Sequence, residues 1–350
     1  DVDGVRVVRL PMGRRRGSRA RYLVEYSAFL LLAFVTVWRL ARRCRYAIAH
    51  VHTLPDFLVF AAAPARWYGA KLLLDLHEIT PEFYQQKYGV PDSHRVVRLL
   101  QRVEQASIRY ADAAITVNEP LRERFVARGT PPTKVSVVMN AADEQIFPPG
   151  SSAYVNGGEP PDRFALVYHG SLLPIYGLEL AVRAIAAVRT RWPYRLVLYG
   201  SGEGEAQIVA TARSLGFEDR LEMRGPVAHE RIAGILKAAG GGIVPTLPGP
   251  MLDLSLSNKL LEMAWTGLPV IAAGLPSYRR YFDDDSMLFF QPGDRESLAD
   301  ALRRFASLTD SERGALGRRA AEAAARISWS EEVKKYLRLV NATAAETGNV

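Results

Sequence analysis

A single cysteine, Cys44, stands in 350 residues, so no intrachain disulfide can form and no cysteine-built metal cluster is available. A reducing compartment is the expectation. The apolar run in the basic N-terminal region, Ala28 to Trp38, has only eleven residues, too few to span a bilayer. A fixed short repeat is missing, as is any basic array interleaved with aromatics, which sets nucleic acid aside as a partner. No secretory signal is readable. The chain opens on Asp1 rather than Met, and an N-terminal piece is expected to be absent. No Asp-x-Asp pair falls on a strand-end loop, since Asp1-Val2-Asp3 opens the chain and Asp283-Asp284-Asp285 reads as a turn. His50 and His52 flank Val51 in a short strand and are read as facing opposite sides, which leaves no metal pair there.

What is present is the composition of a globular chain, 48% hydrophobic and 23% charged, long enough for two domains with a real core each. The net charge of +8 is concentrated in residues 1–45, which carry eleven arginines against three acidic residues. Arg14, Arg15, Arg16, Arg19 and Arg21 precede the apolar stretch, and Arg39, Arg42, Arg43 and Arg45 follow it. Two readings stand side by side: an element of residues 14–45 lying on an anionic membrane surface, or a core helix with solvated basic flanks.

Short runs rich in Val, Ile and Leu alternate with amphipathic stretches. They fall at Val5–Val8, Ala47–Val51, Lys71–Leu76, Ala113–Val117 and Val135–Val138, then at Ala165–Tyr168, Arg195–Tyr199, Leu221–Met223, Gly241–Val244, Pro269–Ala272 and Met287–Phe290. The pattern predicts an α/β protein with two Rossmann-like parallel-sheet domains facing a cleft. A composition break from Pro148 to Pro161, rich in Pro, Gly and Ser, reads as the linker. The expected domains are 1–150, joined by a terminal helix within 329–345, and 160–328.

Ligands of parallel sheets bind at the carboxyl ends of strands, and the residues there are polar or glycine. His77-Glu78 and Asn118-Glu119 follow strands in the first half. In the second half the same places hold His169-Gly170-Ser171, Gly200-Ser201-Gly202-Glu203-Gly204, Arg224-Gly225-Pro226 and Pro245-Thr246. The most telling segment is Asp253 to Ala272. Ser255 and Ser257 are N-cap types, Asn258 to Ala264 reads as a helix, and Gly267 with Pro269 ends it ahead of a buried strand. A helix start leaves unpaired N–H groups and partial positive charge, which suit a diphosphate. Lys259 adds a full charge, and Glu262, three positions on, reaches polar groups beyond the phosphates.

Taken in order, His169-Gly170, Gly200-Ser201-Gly202, Arg224-Gly225 and Asn258-Lys259-Leu260-Leu261-Glu262-Met263 before Gly267-Leu268-Pro269 resemble the donor half of family 4 glycosyltransferases with the GT-B fold. Asp75-Leu76-His77-Glu78 and Val138-Met139-Asn140 ahead of Phe147 are similar to the polysaccharide- and lipopolysaccharide-assembly branch of that family. The resemblance covers Gly4 to Tyr336 without the family's first strand and glycine-rich loop, as a truncated beginning would give.

The resemblance implies a hexosyltransferase that uses a nucleotide-diphosphate sugar, retains configuration, and needs neither metal nor cofactor. Its acceptor would be lipid-linked or a polysaccharide, and its place the cytoplasm, peripheral at the inner membrane face. Catalytic roles would fall to His77, beside the anomeric carbon and acceptor hydroxyl, and to Glu262 on the ribose hydroxyls. Gly170, Ser171, Gly200, Ser201, Gly202, Arg224, Pro245, Ser257, Asn258 and Lys259 would surround the donor. The helix from Trp329 would fold back onto the first domain.

Three positions depart from the family. Leu254 stands where a second Glu is common, Ser171 where Arg is, and Tyr176 where Lys is. Lys259 and Arg224 are the remaining cations. The departures keep two alternatives in play: a non-catalytic glycosyltransferase-like subunit that binds a nucleotide or partner, and a nucleotide-sugar epimerase.

Overall fold

The computed structural model describes residues 4–12, 19–158, 160–188 and 193–345. It divides into two compact units, residues 1–139 with 333–350, and residues 140–332.

The first unit runs α1 (Arg19–Ala41), β1 (Ile48–His52), α2 (Ala63–Trp67), β2 (Lys71–Leu76), α3 (Thr80–Tyr88), α4 (Arg95–Tyr110), β3 (Ala113–Thr116), α5 (Glu119–Ala127) and β4 (Val135–Val137). Its four strands are parallel in the order β1-β2-β3-β4. Leu72, Leu73, Leu74 and Leu76 of β2 are all fully buried, as expected of a strand covered on both faces. Val5 to Val8 forms no sheet strand: Val5 makes an isolated bridge, and Val5, Val7 and Val8 are 64%, 50% and 47% exposed. β-branched composition alone does not make a strand when no neighbour covers it.

Helix α1 is longer than the eleven-residue stretch implied. Val24–Ala41 is an 18-residue segment apolar enough to cross a membrane by length and composition, and 6% of it is buried. The helix carries Ser27 and Arg39, which bound the apolar run, without a break. At 1.5 Å per residue the segment is about 27 Å long. One side packs on the first unit, with Phe34 edge-on to Trp67 at 5.6 Å. Val24 and Leu31 face solvent. Arg14, Arg15 and Arg16 lie outside the described residues, as do the side chains of Arg19 and Arg21 and the residues Asp1 and Asp3.

A buried charge network ties the helices beneath this sheet. Arg128 binds Glu82 of α3 at 2.5 Å and Glu104 of α4 at 3.0 Å, and Arg124 reaches Glu82 at 3.0 Å. Both carboxylates are almost wholly buried. Burial raises Glu104 to about 8, with Arg128 acting in the opposite sense.

The second unit runs β5 (Asp162–His169), α6 (Leu178–Val188), β6 (Arg195–Tyr199), α7 (Glu205–Ser214), β7 (Leu221–Gly225), α8 (His229–Ala238), β8 (Ala239–Val244), α9 (Asn258–Thr266), β9 (Val270–Ala273), α10 (Pro276–Arg279), β10 (Leu288–Phe290), α11 (Arg295–Ser307), α12 (Asp310–Ala325) and α13 (Trp329–Ala345), whose residues from Val333 onward belong to the first unit. Its parallel sheet has the order β10-β9-β8-β5-β6-β7. The chain builds β5, β6 and β7 to one side, then crosses back to place β8 on the other side of β5. That reversal makes the carboxyl ends of β5 and β8 the topological switch point.

The stretch read as a linker is not a free tether. Gly150 N donates to Trp265 O at 2.9 Å, Ser152 N to Thr266 O at 2.7 Å, and Trp265 Nε1 to Phe147 O at 2.8 Å. Phe147 and Tyr154 are buried. The division falls between Met139 and Asn140, and the Pro- and Gly-rich segment is anchored by Phe147 against Trp265 of α9 and by Tyr154 against Arg313 of α12.

Arg128→Met leaves Glu82 and Glu104 buried without their shared cation, and removal of one partner of a buried pair costs about 3–5 kcal/mol. A drop in thermal midpoint of several degrees is the expected outcome in calorimetry, and an unchanged midpoint would refute the network's role.

Candidate functional site: a cation at the switch point of the second sheet

Helix α9 is preceded at its N-cap by Ser257, whose backbone is extended and whose hydroxyl makes no capping bond. Its end is closed by Gly267 in the left-handed region at φ 74°. The start is thus left without a side-chain cap, and the donor groups of its first turn are suited to an anion. Lys259 in that turn is largely withdrawn from solvent, and desolvation pushes its ammonium down to about 8 against the pull of Glu262. Its Nζ lies 4.3 Å from the centre of the Tyr176 ring, 5.3 Å from that of Tyr168, and 3.5 Å from Ser257 Oγ. Aromatic faces offset part of the lost hydration of a cation but supply no counter-charge.

One turn on, Glu262 is held by two histidines. His229 Nε2 is 3.0 Å from Oε1, and His169 Nε2 is 3.4 Å from Oε2 without forming a hydrogen bond. Burial raises the carboxyl of Glu262, opposed by the bond to His229. Burial also holds His169 down to about 3, with Lys259 and His229 adding to it, so this imidazole is neutral.

The loops after β5, β6 and β7 are stitched together by backbone bonds. Gly170 N donates to Tyr199 O at 2.9 Å, Gly200 N to Gly225 O at 2.8 Å, and Leu172 N to Ser201 O at 3.0 Å. Two glycines are required. At Gly200, with φ 145°, an added Cβ would sit 1.8 Å from Gly170 O, and at Gly170, with φ 116°, it would crowd Lys259 Cε at 3.1 Å. These loops, with His169, Ser171, Pro226 and His229, line a cavity of about 330 Å³.

The candidate residues divide accordingly. Gly170, Ser171, Gly200 and Ser201 line the cavity, and Lys259 touches Gly170 from beneath. Glu262 joins through His169 and His229. Gly202 N donates to Glu205 Oε1 at 2.8 Å, holding the β6 loop. Pro245 supports the turn at Gly177, and Asn258 opens α9. Arg224 is exposed and engaged by Glu222, with Nε at 2.8 Å, so the substitute cation read there is already partnered. Tyr168 OH donates to Ser171 O at 2.8 Å. Sequence reasoning misses His229: it lies four residues past Gly225, beyond the loop residues that the strand-end pattern singles out.

In the first unit, His77 follows β2 and its Nδ1 lies 3.5 Å from Asp75 Oδ1. Two further histidines share that carboxylate. His52 Nδ1 is 2.9 Å from Asp75 Oδ2, and His50 Nε2 is 3.8 Å from the same oxygen. The sequence reading that put His50 and His52 on opposite sides is wrong. Side chains two apart on a strand share a face, and these rings stand 4.3 Å apart.

Known proteins share both halves. A glycosyl transferase 4-like domain matches residues 1–141, and a group 1 glycosyl transferases domain matches residues 163–307. The chain belongs to the glycosyltransferases of the GT-B fold. Among relatives, it is 26% identical over 307 residues to a phosphatidylinositol N-acetylglucosaminyltransferase subunit of Arabidopsis thaliana, covering 83% of this chain and 63% of that protein. It is 28% identical over 318 residues to a D-inositol 3-phosphate glycosyltransferase of Acidothermus cellulolyticus, covering 86% of this chain and 68% of that one. This glycosyltransferase thus spans less than two thirds of the plant relative. Its fold is similar to that of sucrose-phosphate synthase from Thermosynechococcus elongatus, with TM-score 0.76, 19% identity, and 97% and 83% of the two chains covered. It is also similar to that of HepE from Anabaena in complex with UDP, with TM-score 0.68, 17% identity, and 89% and 82% covered. The two family matches set the epimerase alternative aside.

Gly200→Ala in this glycosyltransferase must displace the Gly170 carbonyl and adopt a backbone angle side chains avoid, at a cost of about 1–3 kcal/mol. A lowered thermal midpoint is expected, and wild-type stability would contradict the packing described.

Proposed function

We propose that the chain transfers a hexose from a nucleotide-diphosphate sugar to a lipid-linked or glycan acceptor, with retention. The observation that carries this reading is Lys259: a desolvated ammonium with aromatic faces but a depressed charge, set at an uncapped helix start beside a glycine-floored cavity. A diphosphate completes it. As the sugar bond breaks, negative charge gathers on the departing diphosphate, and a fixed cation plus oriented N–H groups stabilise that charge as it develops. The donor step so described uses no metal. Glu262, oriented by His229, receives the ribose hydroxyls, and Gly170, Ser171, Gly200, Ser201 and Gly202 allow close approach. His77 of the first unit serves the acceptor hydroxyl. The names of the two relatives above both contain inositol, which favours a polyol acceptor that carries phosphate or lipid.

An acceptor on lipid calls for the protein to reach a membrane. Helix α1 fits this on the cytoplasmic face, with Val24 and Leu31 exposed and Arg39, Arg42, Arg43 and Arg45 at its end. Each basic side chain near an anionic surface adds about 1 kcal/mol. Sedimentation with phosphatidylserine vesicles should therefore be reduced in Leu31→Asp, and equal partition of the variant would remove this part of the reading.

The second reading, a nucleotide-binding subunit without turnover, is favoured by Tyr176 and Leu254 at places where the family commonly carries charge. Turnover assays across nucleotide sugars separate the two, since a non-catalytic protein binds the diphosphate and never consumes a donor.

Binding itself tests the site. Lys259→Met should weaken nucleotide-diphosphate affinity by about 1.5–3 kcal/mol, the worth of a hydrogen bond to a charged group, and Glu262→Ala should weaken it as well. The lysine binds phosphate as the ammonium, which predominates below its free-state value of about 8. Affinity is therefore expected to be level below neutrality and to fall by up to about tenfold per pH unit above that value, one pKa unit being worth about 1.4 kcal/mol. Calorimetry from pH 7 to 9.5 in wild type and Lys259→Met reads this directly. A wild-type profile that matches the mutant's would end the proposal.

A further inference from the structure

We infer that His50, His52 and Asp75 form a three-ligand site for a divalent transition-metal ion of the zinc class, with its fourth position open. The ligand atoms of the three residues all lie within 4.8 Å of one another. Backbone register produces this arrangement: β1 and β2 are parallel with His52 opposite Asp75, and His50 stands two residues before His52 on the same face. The cluster belongs wholly to the first unit and is independent of the donor reading for the second.

Two observations beyond proximity point to a ligand. The buried Nε2 of His50 has no hydrogen-bond partner, although it is aimed towards Asp75 Oδ2 at 3.8 Å. The other ring nitrogen, Nδ1, is 3.2 Å from the Tyr336 hydroxyl. A metal-bound histidine is commonly held this way, with a partner on one nitrogen that fixes the ring and leaves the other lone pair to the metal. Graded exposure supplies the entrance: His50 and Asp75 are 23% and 17% exposed in their side chains, whereas His52 is 58% exposed.

The donor set selects the ion. Two imidazoles with one carboxylate suit zinc and its first-row neighbours, whereas magnesium and calcium demand oxygen. A zinc ion takes imidazole nitrogen at about 2.0–2.1 Å and carboxylate oxygen at about 2.0–2.2 Å, so the three groups close inward on binding. On binding, His52 Nδ1 gives up its contact with Asp75 and offers its lone pair to the metal, the ring keeping its one proton on Nε2. Three protein ligands with an open position is the arrangement that admits water or a substrate oxygen. His77 borders that position, its ring 5.8 Å from that of His52. An ion here would pin the ends of β1 and β2 and set positive charge beside the residue proposed to serve the acceptor.

Equilibrium dialysis of the purified chain against zinc chloride, with metal analysis, should give one tightly held ion per chain. Its thermal midpoint should rise with zinc and stay fixed with magnesium. His52→Ala, at an exposed position that folding does not need, and Asp75→Asn should each lower zinc affinity at least about tenfold. Tyr336→Phe should lower it about 10–100-fold, as loss of an outer partner does, with the metal-free midpoint unchanged. Zinc affinity equal to wild type in His52→Ala, or no stoichiometric zinc in wild type, would overturn the site.

Discussion

The second unit is organised around one uncompensated charge. Lys259 is withdrawn from water at the start of α9, and its neighbours are two tyrosine faces, a serine hydroxyl and a carboxylate one turn away that is itself committed to histidine. A desolvated ammonium without a direct counter-ion is unfavourable, and its lowered proton affinity measures that cost. The fold accepts it because the same desolvation strengthens any later contact with an anion. Gly170 has to be glycine so that the lysine can lie close beneath the β5 loop, and Gly200 has to be glycine so that the β6 loop can lie against Gly170. The cavity is thus a consequence of backbone packed against backbone above a single side chain.

Asp75 plays the corresponding part in the first unit. It closes β2 at the point where three histidines converge, and its ion pairs among the described residues are to those imidazoles. Burial and the neighbouring imidazole of His52 hold His50 below its ordinary value, with Asp75 opposing them. The contrast with the arginine-filled network around Glu82 and Glu104 is informative. There the carboxylates are matched by guanidinium groups and work as cross-braces between helices. At Asp75 the partners are groups whose lone pairs and protons are both exchangeable, which suits binding chemistry better than bracing.

Much of this was legible in the sequence, for physical reasons that also mark its limits. The stop of α9 followed from Gly267 and its start falls at Ser257 as the residue types suggested, although that hydroxyl makes no capping bond, and the strands of both sheets followed from runs such as Leu72–Leu74. The loops at Gly170 and Gly200 were legible because only glycine permits their backbone angles and contacts. Three features were not. The segment from Pro148 to Pro161 carries linker chemistry, yet Phe147 and Tyr154 anchor it, and anchoring depends on a distant surface. Val5 to Val8 has strand composition without a paired neighbour. His229 reaches Glu262 across 33 residues of sequence, a closeness set by how α8 packs on α9. The misreading at His50 and His52 was of another kind, because the two-residue strand period already placed them together.

The departures from the family pattern acquire a common sense in the structure. Where Lys is common the chain has Tyr176, and this ring lies directly on the Lys259 ammonium. Where the resemblance implies Arg it has Ser171, whose backbone carbonyl accepts from the Tyr168 hydroxyl whatever the side chain, and Tyr168 is the second ring on the same ammonium. The Tyr176 exchange thus sets an aromatic face, in place of a cation, on the remaining ammonium. Two cations close to Lys259 would depress its charge further by repulsion, whereas two aromatic faces favour its charged form. A site with one well-placed cation gives up some gross attraction for phosphate, since charge-assisted contacts are the strong ones. It gains a response to pH in the range where Lys259 titrates, which a guanidinium could not provide. On the function proposed, the electrostatics of diphosphate binding rest on a single side chain and the dipole of α9, and the aromatic floor around that side chain belongs to the proposed binding apparatus as much as the lysine does.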